Sequence, residues 1–93
     1  MEDNTKVPQA ELNYTIDWTE WLNGDTIAAS SWVLPDGLVK LADSVDSGQK
    51  TIVKIKGGTV GRTYTVINRI TTTTSGEKDE RSFQIQIVAR KEE

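Results

Sequence analysis

Leu12, Tyr14, Ile16 and Trp18 alternate with Glu11, Asn13, Thr15 and Asp17. A period of two over that length marks a half-buried strand, one face packed and the other wet. The strand runs into Asp17-Trp18-Thr19-Glu20-Trp21-Leu22-Asn23-Gly24. There Asp17 and Glu20 stand at capping-box spacing, with Asp in the place usual for Ser or Thr, and Gly24 can stop a helix. A single helical turn is expected, with Trp18, Trp21 and Leu22 on one face, covering one end of the core. Residues 26–34 read as a second strand, with Ala28, Ser30 and Trp32 facing inward, small residues beside one large indole. Pro35-Asp36-Gly37 is a turn, because Pro presets φ and Gly admits a positive one. A short strand at 38–42 and a polar bend at 43–49 follow. Thr51, Val53 and Ile55 then face in while Lys54 and Lys56 face out, ending at Gly57-Gly58. The last pair is the longest. Tyr64, Val66, Asn68 and Ile70 form one inner row and Phe83, Ile85, Ile87 and Ala89 another, joined across a turn near Ser75-Gly76 as a long hairpin.

About seven β segments, with turn signals every eight to twelve residues or so, indicate an all-β antiparallel β-sandwich. Tyr64 opens the penultimate strand three residues after Gly61, where a tyrosine corner occurs in immunoglobulin-like sandwiches. Asn68, polar on an apolar row, must find its hydrogen bonds locally and reads as structural. Composition agrees: eight Val, eight Ile and twelve Thr stand against five Leu and five Ala, a balance that suits pleated surfaces. The 93 residues suffice for one core. Residues 1–10, polar with Pro8 and no period, read as a flexible N-terminal arm; 11–90 form the single domain and 91–93 a charged tail.

Charge divides along the chain. Residues 1–47 hold nine acids and two lysines, and residues 48–93 hold five acids and nine Lys or Arg. Such a dipole favours ordered association with neighbours. The plainer reading is that the two halves neutralise each other within one sandwich.

Candidate chemistry is sparse. With no His and no Cys, the chain lacks disulfides, thiol chemistry, most zinc sites and the commonest general base. The serines have no His to activate them, so no catalytic residues are expected. The carboxylate pairs Asp43/Asp46 and Asp79/Glu80 read as wet, turn-rich positions without the spacing of a calcium loop, so no metal and no cofactor are expected. Gly57-Gly58-Thr59-Val60-Gly61-Arg62 superficially looks like a phosphate cradle, but it lacks the Lys-Ser/Thr ending and precedes a strand. It reads as a tight loop. Lys50, Lys54 and Lys56 make a basic stripe on an acidic chain with few free aromatics, which argues against nucleic acid. No run of about eighteen apolar residues exists to span a membrane, and the opening MEDNTKVP has neither the basic nor the apolar region of a signal peptide. Of the three tryptophans, Trp32 reads as core and Trp18 as the end of an inward row. Trp21 is left as the half-exposed one, an interface anchor rather than a sugar platform.

Four blocks in order carry a resemblance. They are Leu12-Asn13-Tyr14-Thr15-Ile16-Asp17-Trp18-Thr19-Glu20-Trp21-Leu22; Asp25-Thr26-Ile27-Ala28 with Ser31-Trp32-Val33-Leu34-Pro35-Asp36-Gly37-Leu38; Gly57-Gly58-Thr59-Val60-Gly61-Arg62-Thr63-Tyr64-Thr65-Val66; and Asn68-Arg69-Ile70-Thr71-Thr72 with Asp79-Glu80-Arg81-Ser82-Phe83. Over about residues 11–90 the chain resembles the fiber-tail adaptors of tailed bacteriophages. Lys54, Lys56 and the tail Arg90-Lys91-Glu92-Glu93 depart from that pattern. The resemblance implies a non-enzymatic structural virion protein with an immunoglobulin-like sandwich, present in several copies on the phage tail. It implies tail adaptor or nozzle proteins and a tail fibre as partners, and the host cytoplasm as the place of assembly. The expected docking residues are Trp21, Leu22 and Asn23, the 1–10 arm, and the loop of Ser75, Gly76, Glu77, Lys78, Asp79 and Glu80. The alternative is a capsid-decorating or adhesin-like binding module, since the same sandwich serves there too.

Overall fold

A computed structural model describes residues 4–8 and 10–89. Its strands are β1 (Asn4–Lys6), β2 (Leu12–Asp17), β3 (Ile27–Val33), β4 (Leu38–Asp46), β5 (Lys50–Gly57), β6 (Thr63–Thr72) and β7 (Lys78–Ile87), with one helical turn, α1 (Thr19–Leu22), between β2 and β3. They form two sheets, ordered β1-β7-β6-β3 and β2-β5-β4. All pairings are antiparallel except β1 on β7, which is parallel with Lys6 beside Ile87. The all-β sandwich expected from alternation is what the chain forms.

The inner rows fall where the pattern put them, except that Ala89, expected in the last of them, is exposed beyond the end of β7. Thr51, Val53 and Ile55 on β5, Tyr64, Val66, Asn68 and Ile70 on β6, and Phe83, Ile85 and Ile87 on β7 are all buried. Along β2 burial deepens from Leu12 at the exposed end to Ile16, and Trp18 beyond it is wholly enclosed. Phe83 bridges the sheets, stacking on Tyr14 at 5.2 Å and meeting Trp32 edge-on at 6.1 Å.

Four expectations are corrected. Asn4–Lys6 is not an arm but β1, because the free edge of β7 takes up its backbone and Val88 N–H closes the pairing on the Lys6 carbonyl at 2.9 Å. Residues 1–3 and 9, and 90–93 with the charged tail, lie outside the described residues. The polar bend at 43–49 is shorter than expected: β4 continues to Asp46 on the template of β5, and only the turn through Ser47 and Gly48 remains. Trp32 is only half-buried, since β3 is the outer strand of its sheet; Trp18 is the tryptophan at the centre of the core. Ala28 faces solvent because a bulge between Ile27 and Ala29 shifts the alternation before Ser30 and Trp32.

Lys6 occupies an inward position and is almost wholly buried. Its ammonium donates to the carbonyls of Gly57 at 2.7 Å, Val7 at 2.9 Å and Pro8 at 3.3 Å, tying the end of β5 to β1 across the sandwich. Burial pulls its pKa below the usual lysine value, against the opposing pull of Glu11. Nearby, the Gly57–Arg62 stretch is the tight β5–β6 loop foreseen. A Cβ on Gly58 would lie 2.5 Å from Ile87, and its φ of +108° is one that side-chain-bearing residues rarely adopt.

Candidate interface at the helical end of the sandwich

The turn after β2 is set by Asp17. Its carboxylate accepts from the Thr19 backbone N–H at 3.0 Å and from the Thr19 hydroxyl. The Thr19 hydroxyl, then its N–H, hold the Asp17 carboxyl below the usual carboxylate range, with smaller help from Lys50 and Arg81. The start is thus an Asp-to-Thr turn rather than the reciprocal Asp17/Glu20 box expected. Asn23, left-handed at φ 50°, ends α1 after one turn, its N–H donating to the Thr19 carbonyl at 3.3 Å. Trp18, Trp21 and Leu22 do share the inward side. Trp18 and Leu22 are buried, and Trp21 lies half-buried against the Trp18 ring at 5.5 Å. Over the same indole sits the Arg81 guanidinium, 4.3 Å from the ring centroid and donating to the Asp17 carbonyl at 3.1 Å.

Beneath this turn Trp18 is anchored by a buried polar network. Asn68 Oδ1 accepts from Trp18 Nε1 at 3.0 Å and from the Thr51 hydroxyl at 2.8 Å. Asn68 Nδ2 donates to Ser30 Oγ at 3.0 Å and the Ser31 carbonyl at 2.9 Å. Every donor and acceptor site of the amide is used, and both sheets are joined through it. The structural reading of Asn68 was right, though its partners reach well beyond its own strand.

Asp25 joins two of the expected docking segments. Its carboxylate accepts from the backbone N–H groups of Thr26 at 2.8 Å, Thr74 at 3.1 Å and Ser75 at 3.3 Å, and from the Ser75 hydroxyl at 3.3 Å. These donors, Thr26 first, lower its pKa to about 2. The carboxylate is therefore charged and fully engaged at neutral pH, a clamp rather than a proton acceptor. Thr73 N–H adds a bond to the Thr26 carbonyl at 2.9 Å, and Thr72 closes the hairpin on Glu77. The tip of the β6–β7 hairpin is thereby pinned beside α1. Trp21, Leu22, Asn23, Asp25, Thr74 and Glu77 line an open depression of about 480 Å³ between them.

The remaining expected residues separate from this group. Ser75, Gly76 and Glu77 form the turn, but Lys78, Asp79 and Glu80 are the first residues of β7, opposite Thr71, Ile70 and Arg69. Glu80 pairs with Arg69 at 2.9 Å. With Ala29, Ser31, Arg69 and Thr71 they line a groove of about 560 Å³ beside the β3 edge. Leu22, expected as a docking residue, is buried in the core and holds α1 in place. Asp25 was missed: an Asp before a strand is an ordinary sequence, and its partners lie some fifty positions away.

One comparison with known proteins decides the family. The model of the family described as Podophage GP4 fiber-tail adaptor protein gp77 matches residues 6–86. The chain belongs to that family. No curated protein and no solved structure matches it. The match runs from Lys6, the last residue of β1, to Gln86 in β7, and so begins inside the stretch first set aside as an arm. As a fiber-tail adaptor, the chain has a structural role in the tail of a phage virion.

Proposed function

We propose that this chain is a non-enzymatic joint of the phage tail, docked on the adaptor or nozzle region and presenting a tail fibre. Several copies would act together on each particle, assembled in the host cytoplasm. The observation that carries the reading is the Asp25 clamp. It makes the α1 turn and the hairpin tip one rigid surface, with half-buried Trp21 beside exposed Asn23 and Glu77. A preorganised patch with one aromatic anchor and a polar rim suits docking without loss of order on binding. We also read the sandwich as immunoglobulin-like. The orders β2-β5-β4 and β3-β6-β7 match the B-E-D and C-F-G pairings of that fold. Tyr64 supports this, its hydroxyl oxygen accepting the Thr59 N–H at 3.0 Å upstream, as a tyrosine corner does.

The test is complementation of phage lacking the chain. Glu77→Lys, at an exposed position, leaves the melting temperature within about 2 °C of the parent, as surface changes do, while reducing fibre-bearing tails. Trp21→Ala acts in the same direction. Normal fibre attachment with both variants would place the joint on another surface.

A further inference from the structure

β4 is a nine-residue strand that, among the described residues, is hydrogen-bonded on one side only, to β5. All its residues except Leu38 are exposed, and it carries Val39, Leu41 and Val45 at 47%, 40% and 39% exposure. Half of the large hydrophobic side chains exposed among the described residues thus lie on this one open edge. An open edge pairs with any regular strand unless something prevents it. β4 carries two such guards: a bulge at Leu41, between Lys40 and Ala42, and the exposed charges of Lys40 and Asp43, opposite Ile55 and Val53, which pair with each other within the chain at 3.4 Å.

We propose that the β4 edge pairs with β4 of a second copy of this chain, antiparallel about a two-fold axis through the bulge. The register follows from the pairing with β5. Lys40, Ala42 and Asp43 sit opposite Ile55, Lys54 and Val53 in succession, so Leu41 and Ala42 together fill one position. An antiparallel two-fold must pass through a position that faces its own copy. Centred on the bulge, it sets bulge against bulge, Lys40 against Asp43 of the other copy, and Leu38 against its Val45. The two-fold makes the opposite-charge contact occur twice, and Leu41 meets its counterpart at the axis. Centring on Asp43 or on Lys40 instead would oppose like charges. The guards that repel an ordinary strand are therefore matched by a copy of the same strand. One pair of strands is a small contact compared with a stable interface, so pairing is weak in free solution and gains from several copies held on one particle.

Sedimentation equilibrium on the whole chain tests this, up to about 1 mM, the range where weak contacts populate. The parent's average mass rises toward a dimer with concentration. Asp43→Lys and Lys40→Asp, both exposed and each placing like charges opposite each other, weaken self-association by about tenfold or more. Mixed one to one, the two variants restore it as a heterodimer, because each supplies the charge the other lost. Circular dichroism shows both variants folded as the parent. A parent that stays monomeric throughout overturns the proposal. So do variants that associate as well as the parent, or a mixture that gains nothing over either alone.

Discussion

At Asn68 a single side chain holds four hydrogen bonds in a site with no access to water. Asn68→Ala takes the acceptor from the Thr51 hydroxyl and the amide donor from the Ser31 carbonyl, leaves Trp18 Nε1 only its longer 3.3 Å bond to Thr51, and opens a cavity under Trp18. Unpaired buried groups cost about 1–3 kcal/mol each, so a loss of about 3 kcal/mol in urea unfolding is expected. A loss under about 1 kcal/mol would mean that the network relaxes onto water. Asp25 offers a pH test. Its folded pKa of about 2 lies below the unfolded value, so its contribution is complete above about 4 and is lost as pH falls through about 2. The amide resonances of Thr74 and Ser75 should therefore titrate with a midpoint near 2. A midpoint near 4 would show that the clamp does not hold in solution. Neither role was legible beforehand in full. Asn68 stood out as a polar residue in an apolar row, but Ser30, Thr51 and Trp18 became its partners only once two sheets faced each other. Asp25 gave no signal at all, because nothing local distinguishes it from any Asp before a strand.

At the scale of elements, alternation located the strands well where one face is buried and poorly where none is. β5, β6 and the stretch of β7 from Phe83 to Ile87 were legible because their inner rows are largely apolar, whereas the polar start of β7 was read as loop. The second half of β4 was read as a bend because its side chains are exposed on both faces, so it carries no period, and its pairing with β5 alone keeps it extended. β1 escaped for a similar reason: a three-residue strand offers no period, and its inward residue is a lysine. That lysine tests whether β1 belongs to the folded unit. Lys6→Ala removes three bonds from a charged donor, worth about 2 kcal/mol together by comparison with other charged hydrogen bonds. For a domain of this size a melting temperature lower by roughly 8–16 °C follows. An unchanged melting temperature would return the segment to the status of an arm.

On the scale of the whole molecule, folding sets a basic strand of the second half of the chain between two strands of the acidic first half. β5, which carries Lys50, Lys54 and Lys56, lies between β2 and β4 from the acidic half, and Lys50 sits opposite both Asp17 and Asp46. That neighbouring accords with the plainer reading of the split, and the proposed association is assigned to particular surfaces. One is the end built from α1 and the hairpin tip, and the other is the β4 edge. The body that carries them is elongated, 48 Å long and 21–26 Å across. The family was legible in four ordered sequence blocks, whereas the placement of the expected docking residues was not: Lys78, Asp79 and Glu80 lie in a strand, and Leu22 lies in the core. The most direct test of the chain as a tail joint is an electron cryomicroscopy reconstruction of the intact phage, resolved well enough to place this sandwich. The account predicts copies at the tail, with Trp21, Asn23 and Glu77 covered by a neighbouring tail or fibre protein. Copies on the capsid shell, or copies at the tail with that end bare in solvent, would contradict it.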